Sequence, residues 1–248
     1  MLGKTQVKYI QSLSHKKFRD EEGAFIAEGP KIVEEIINEK PSAVRQIYAL
    51  GNWMETNKNL VKKIDANCLT PISEMELERV SHLNTPNQVV AILNKRPIET
   101  DIDCTTQLVL ALDGIQDPGN LGTIIRIADW FGIKHIICSA DCADLYNPKV
   151  VQSTMGSIIR VNLLYTGLED FFKKQKAVKI MAAALDGTPV QNLNGEKKGI
   201  LLIGNESKGI SKELLGRATN KITIPQIGKA ESLNAAVATG IILSHLLK

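Results

Sequence analysis

Residues 108–131 read LVLALDGIQDPGNLGTIIRIADWF. Leu108 to Leu112 is a short unbroken apolar run, suited to a strand buried on both faces, and the polar segment Asp113 to Asn120 ends it. Pro118-Gly119 marks a turn. Leu121, Ile124, Ile125, Ala128 and Phe131 then recur at helical spacing, so a helix over Leu121–Phe131 with one packed stripe is expected. Asn120 stands where an N-cap would, and Arg126 points away from the stripe, three residues from Asp129. Capping and ion pairing would account for both residues without any chemistry.

The alternation continues to the carboxyl end. Ile133–Cys138, Ile158–Leu164, Val178–Leu185, Gly199–Ile203 and Ile222–Ile224 read as strands, and Glu231–Leu247 as a long closing helix. Apolar strands separated by helices require a parallel sheet covered on both faces, with ligands bound beyond the carboxyl ends of the strands. Toward the amino end, the polar, proline-containing stretch Asn94–Thr106 interrupts the pattern. It divides the chain into a first domain at 1–97, a linker at 98–106 and a second domain at 107–248. The first reads as small and α/β, with helices near Val7–Lys17 and Pro30–Asn38 and strands at Arg45–Leu50 and Gln88–Leu93.

A chain of 248 residues with 44% hydrophobic content can fill a sizeable core. Its amino end lacks the apolar run of a signal peptide and no segment approaches a membrane span, so a cytoplasmic protein without a membrane partner is expected. Cys68, Cys104, Cys138 and Cys142 are too scattered for a disulfide framework, and His15, His82, His135 and His245 lie too far apart to complete a metal site; no metal is expected. A net charge of +3 permits a nucleic-acid partner without requiring one. Lys4, Lys8, Lys16, Lys17 and Arg19 precede the first acidic residue, Asp20, giving a basic arm or a solvated helix face.

Neither a GxGxxG nor a GxxxxGK[ST] phosphate cradle occurs, which weakens dehydrogenase and NTPase readings. Three loops at the carboxyl ends of strands are unusual instead. The first is Asp113–Asn120. The second, Gly204-Asn205-Glu206-Ser207-Lys208-Gly209, has two glycines that permit close backbone approach to a ligand. In the third, Pro225–Asn234, polar side chains and free amides meet at a helix amino terminus. Each alone could be an ordinary turn or cap.

Together, in this order, they resemble the SpoU (TrmH-like) family of RNA ribose 2′-O-methyltransferases, in the SPOUT superfamily. Asn120-x-Gly122-x-x-x-Arg126 is similar to its first motif, Ile203-Gly204-Asn205-Glu206 with Gly209 to its second, and Ile224-Pro225 with Gly228 and Glu231-Ser232-Leu233-Asn234 to its third. Phe25-Ile26-x-Glu28-Gly29 resembles the preceding substrate-binding domain, itself similar to an RNA-binding ribosomal protein, and Asn147–Val151 through Arg160 the connecting segment. Gln152 and Gln226 depart from the family's usual arginine and methionine.

The resemblance implies a carboxyl-terminal trefoil knot, against the general rule that chains are not threaded. It implies S-adenosylmethionine as methyl donor, held by Leu185, Gly187, Ile203, Gly204, Asn205, Gly209, Ile224, Gln226 and Leu233. Arg126 would be nearest the catalytic event, with Asn120, Glu206, Ser232 and Asn234 beside it, in a homodimer that completes each site across subunits. The substrate would be RNA, ribosomal RNA ahead of transfer RNA, and not DNA. A knotted base methyltransferase and a non-catalytic RNA-binding protein are the alternatives.

Overall fold

The protein is described by a computed structural model covering residues 1–175, 177–193 and 195–247. Packing divides the chain into two compact units, residues 1–97 with 144–159, and residues 98–143 with the chain from 160 onward. The sequence suggests one division between 98 and 106; the contacts add a second excursion, because residues 144–159 pack into the first unit.

The first unit contains α1 (Lys4–Ser12), α2 (Lys16–Glu22), β1 (Ala24–Glu28), α3 (Pro30–Glu39), β2 (Val44–Ala49), α4 (Gly51–Thr56), α5 (Lys58–Val61), β3 (Leu69–Pro71), α6 (Glu74–Val80) and β4 (Val89–Asn94). Among the described residues its sheet runs β1-β4-β2-β3, with only β2 and β3 parallel. The single helix expected over Val7–Lys17 is two. Ser12 and Ser14 turn their hydroxyls back onto the carbonyls of Tyr9 and Gln11, and Arg19 donates to the carbonyls of Leu13 and Ser14 at 3.0 and 2.6 Å, so α1 ends there. Arg19 is consequently buried and paired with Asp144 at 2.6 Å, and Lys16 pairs with Asp20. Part of the basic arm therefore serves the fold.

At the start of α6, Glu76 accepts from the Ser73 amide and hydroxyl, both at 3.0 Å, and from the Leu2 amide at 2.5 Å. These donors favour the ionised form and hold its carboxyl down at about 2. A depressed carboxyl stabilises the fold above its unfolded pKa, and the contribution fades as pH falls from about 4.3 toward the folded value. Melting curves of the protein and Glu76→Gln should therefore differ at neutral pH and converge as pH approaches about 2; a gap independent of pH would exclude the carboxylate as its source.

The chain continues with β5 (Leu108–Asp113), α7 (Pro118–Trp130), β6 (His135–Cys138), α8 (Pro148–Thr154, in the first unit), β7 (Asn162–Tyr165), α9 (Leu168–Lys174), β8 (Ile180–Pro189), β9 (Gly199–Gly204), α10 (Lys212–Leu215), β10 (Asn220–Thr223) and α11 (Ala235–Leu246). Its described sheet runs β10-β8-β9-β5-β6-β7, all neighbours parallel. Strand order reverses between β5 and β9, the position at which open α/β sheets bind ligands. No described helix is long and apolar enough to cross a membrane.

Three sequence expectations shift. The apolar run Ile158–Leu164 is a 3₁₀ turn at Ser157–Ile159 followed by β7, because Met155 and Gly156 adopt positive φ and turn the chain. The closing helix starts at Ala235 rather than Glu231: Asn234 Oδ1 accepts from the amides of Ala236 and Val237 and caps it. Helix α7 starts at Pro118, with Asp117 as N-cap accepting from the Asn120 amide at 2.8 Å, so Asn120 does not cap it.

Candidate active site

Beyond the carboxyl ends of β8 and β9 lies a cavity of about 650 Å³. Its walls come from three stretches: the end of β8, the loop after β9 and the long loop between β10 and α11. Strand β8 makes room by a break in register. Lys221 of β10 pairs with Ala182 but Ile222 pairs with Thr188, so residues 183–187 of β8 have no partner in β10, and Ala183 to Asp186 form one wall. Gly187 lies outside the cavity wall; a Cβ there would fall 2.6 Å from the carbonyl carbon of Lys221. Its missing side chain is what lets the two backbones approach so closely.

The second wall is the Gly204–Gly209 loop, closed by paired hydrogen bonds between Asn205 and Gly209. Gly204 abuts the backbone of Gly209 so closely that no Cβ fits. Asn205 spends its side chain on the loop itself, accepting from the amides of Ser207 and Lys208 and donating to the Gly114 carbonyl at 2.7 Å. Gln226 likewise folds back onto the carbonyls of Gly228 and Ala230. These two residues therefore offer the cavity mainly backbone. Leu185, Ile227 and Leu233 stand at the rim as exposed apolar side chains.

Ile203, Gly204, Asn205, Glu206, Gly209, Ile224, Gln226, Ser232 and Leu233 all line the cavity, with Leu185. Asn120 and Asn234 are outside its wall but joined to it. Asn234 Nδ2 donates to Asn120 Oδ1 at 2.8 Å, and Asn120 Nδ2 donates to Glu206 Oε1. With Asn234 also capping α11, one chain of hydrogen bonds ties the three loops together.

Arg126 does not join them. It is exposed on α7, makes no hydrogen bond or ion pair among the described residues, and is absent from the cavity wall. Nor does it pair with Asp129, whose carboxylate accepts from Arg160 in a bidentate grip, Nε to Oδ1 at 3.1 Å and Nη2 to Oδ2 at 2.7 Å. The guanidinium of Arg126 is thus left with its donors available.

S-adenosylmethionine can be tested against this lining. The volume falls within the ~300–1,000 Å³ of small-molecule sites. The wall combines apolar side chains with the backbone groups of two glycine-containing loops, the mixture that an adenosine ring needs, and the bare apolar rim would be covered by a bound ligand. The residues fit the group. Among the described residues no cluster of three or more His, Cys, Asp or Glu side chains could hold a metal, and the four cysteines are free thiols.

Residues 107–244 match the SpoU rRNA methylase family, more than half of the chain. The protein belongs to that family. Residues 4–91 match a second family, the MRM3-like substrate-binding domain. Among relatives of this SpoU protein is the 23S rRNA (guanosine(2553)-2′-O)-methyltransferase RlmP of Bacillus subtilis, 32% identical over 97% of this chain and 95% of the relative. An AdoMet-bound rRNA methyltransferase from Sinorhizobium meliloti superposes with a TM-score of 0.86 at 32% identity, covering 99% of this chain and 96% of that one. A TrmH-family protein from Porphyromonas gingivalis superposes at 0.87, also 32% identical, over 100% and 98% of the two chains.

Sequence reasoning misses part of the lining. Ala183, Ala184 and Asp186 sit in a run of small residues after an apolar strand, a visible but unspecific signal. Ala235, Ala238 and Ile242 share one face of α11, legible from their spacing once the helix start is known.

Proposed function

We propose that this SpoU-family enzyme transfers a methyl group from S-adenosylmethionine to a ribose 2′-hydroxyl of ribosomal RNA. The observation that carries this reading is the Asn234–Asn120–Glu206 relay, which draws the three motif-bearing loops to one cavity. Ribosomal RNA is favoured over transfer RNA by the Bacillus relative's substrate and by the match at residues 4–91. Such a substrate fits a cytoplasmic protein.

When bound, the donor supplies a methyl carbon activated by its sulfonium. The chain does the rest. Ile203, Gly204, Gly209, Ile224 and Leu233 would hold the donor by backbone groups and apolar contact, with Leu185 beside it, and Asn205, Gln226 and Gly187 shape the walls. Glu206 and Ser232, at the cavity, and Asn120 and Asn234, tied to it, orient the ribose and its phosphate. Guanidinium stays protonated, so Arg126 acts as a charge: it would bind the phosphate and stabilise the negative charge that develops on the 2′-oxygen as that hydroxyl gives up its proton to water.

Arg126 reaches a donor bound in a second copy. Helix α11 carries no charged residue (AAVATGIILSHL), a composition suited to burial on every side, yet Val237 is 51% exposed. Its neighbour α7 exposes Trp130 at 85%, one turn beyond Arg126. An exposed tryptophan beside an exposed apolar helix face suits a homodimer interface. Trp130→Glu should sediment as a monomer and lose transfer; a fully active monomer would exclude the arrangement. The register shift between β8 and β10 and the close approach of Gly187 to the Lys221 backbone fit the trefoil knot that the family resemblance implies.

The activity is tested by incubating ribosomal RNA with methyl-labelled donor and digesting it to nucleosides. Label in 2′-O-methylnucleosides is expected. Label on a base would make the enzyme a knotted base methyltransferase, and absence of donor binding by calorimetry would make the chain an RNA-binding protein only.

A further inference from the structure

The first unit contains a polar device that the methyl-transfer site does not use. Glu28 ends the fully buried strand β1 and is itself only 5% exposed. Its carboxylate accepts from Ser81 Oγ at 2.5 Å, the His82 amide at 2.9 Å and His82 Nδ1 at 3.2 Å. Ser81 Oγ in turn accepts from the Leu83 amide at 3.1 Å. Burying a carboxylate is costly unless its hydrogen bonds are made, and here they all go to one segment. At its other end that segment is fixed by Leu50, whose amide donates to the Gln88 carbonyl at 2.9 Å, and by Gly29, whose amide donates to the Val89 carbonyl at 2.9 Å. Gln88 adopts a φ of 57°, in the left-handed region that a residue with a side chain enters only under constraint.

Between these anchors, the side chains of residues 84–88 (NTPNQ) make no hydrogen bond that serves the fold. Asn84, Thr85 and Asn87 are exposed, Gln88 is half-buried, and none of their side chains makes a hydrogen bond among the described residues. Lys31, exposed and without an ion pair among those residues, lies two residues beyond Gly29, in the first turn of α3. Carboxamides carry both donors and acceptors and pair with the edges of unstacked bases, whereas a lysine meets phosphate without regard to sequence.

We propose that residues 84–88, held in place by Glu28, read unpaired bases of the ribosomal RNA substrate, with Lys31 on the adjoining phosphate. This rests on the RNA-methyltransferase reading. Glu28 is a positioning residue, and the amides of Asn84, Asn87 and Gln88 make the contacts.

The test is filter binding of the full-length protein to protein-free 23S ribosomal RNA over a range of salt, with methyl-transfer kinetics alongside. The double variant Asn84→Ala/Asn87→Ala should bind RNA at least about tenfold more weakly at an unchanged salt slope, and Lys31→Ala should reduce that slope by about one. In transfer, KM for RNA rises with kcat and donor affinity unchanged. Glu28→Ala should reproduce the double variant's defect and Glu28→Gln largely restore binding, since a carboxamide can still bridge Ser81 and His82. Unchanged RNA affinity in the double variant, or an equal loss of affinity for fully duplex RNA, would overturn the assignment. Wild-type transfer tests the activity and the variants' RNA affinity tests the loop, so the two can fail separately.

Discussion

Arg126→Ala should abolish methyl transfer and leave the affinity for S-adenosylmethionine as it is in the unmodified protein. The side chain is exposed, bonds nothing among the described residues and stands outside the cavity of its own subunit, so its loss costs the fold and the donor site little. On the proposed mechanism what disappears is a fixed positive charge beside the reacting oxygen, and removing one such donor slows a reaction by about 10²–10³-fold. Transfer assays at saturating donor and RNA measure the rate, and calorimetry measures the affinity. An equal fall in both would mark Arg126 as a structural residue. Lysine keeps the charge but not the planar fork of donors, so Arg126→Lys should recover only a small part of the rate.

Gly204→Ala has the opposite signature. The added Cβ has no space against the backbone of Gly209, so the paired hydrogen bonds between Asn205 and Gly209 must open and the second wall of the cavity moves. Affinity for the donor should fall at least about 100-fold, equivalent to roughly 2.7 kcal/mol. The body of β9 is buried and paired to β5 and β8, so the sheet should persist, with a circular dichroism spectrum unchanged. Retained affinity would mean that this loop does not wall the donor.

The two variants also test each other. If Arg126 serves the partner's cavity, a mixture of Arg126→Ala and Gly204→Ala chains forms heterodimers in which one of two sites is intact. With half the dimers mixed, activity should return to about a quarter of the unmodified level. If Arg126 serves its own cavity, every site carries a defect and nothing is restored.

Much of this is legible in the order of residues. Periodicity locates most strands of the second unit to within two or three residues, because a strand buried on both faces must be apolar throughout. The three loops are recognisable because strand ends followed by glycine, asparagine and proline leave a local mark. The misreadings are also local in appearance, and distant in cause. Asn120 reads as a helix cap, but Asp117 caps the helix and frees Asn120 for partners 86 and 114 residues away. Arg126 reads as the partner of Asp129, which Arg160 takes instead from 31 residues off. Arg19 reads as part of a basic arm and is buried against Asp144.

The sequence by itself therefore determined the parallel sheet and the three unusual loops, since hydrophobic period and turn chemistry are properties of neighbouring residues, and the resemblance of those loops to the SpoU motifs supplied the residues expected to serve methyl transfer. Only the tertiary structure decided which side chains are spent on the fold and which remain available. It opened the cavity through the register break in β8, joined Asn234, Asn120 and Glu206, and left Arg126 facing outward. Hydrogen bonds between residues a hundred positions apart depend on where the folded backbone brings them, and no window of sequence contains that information.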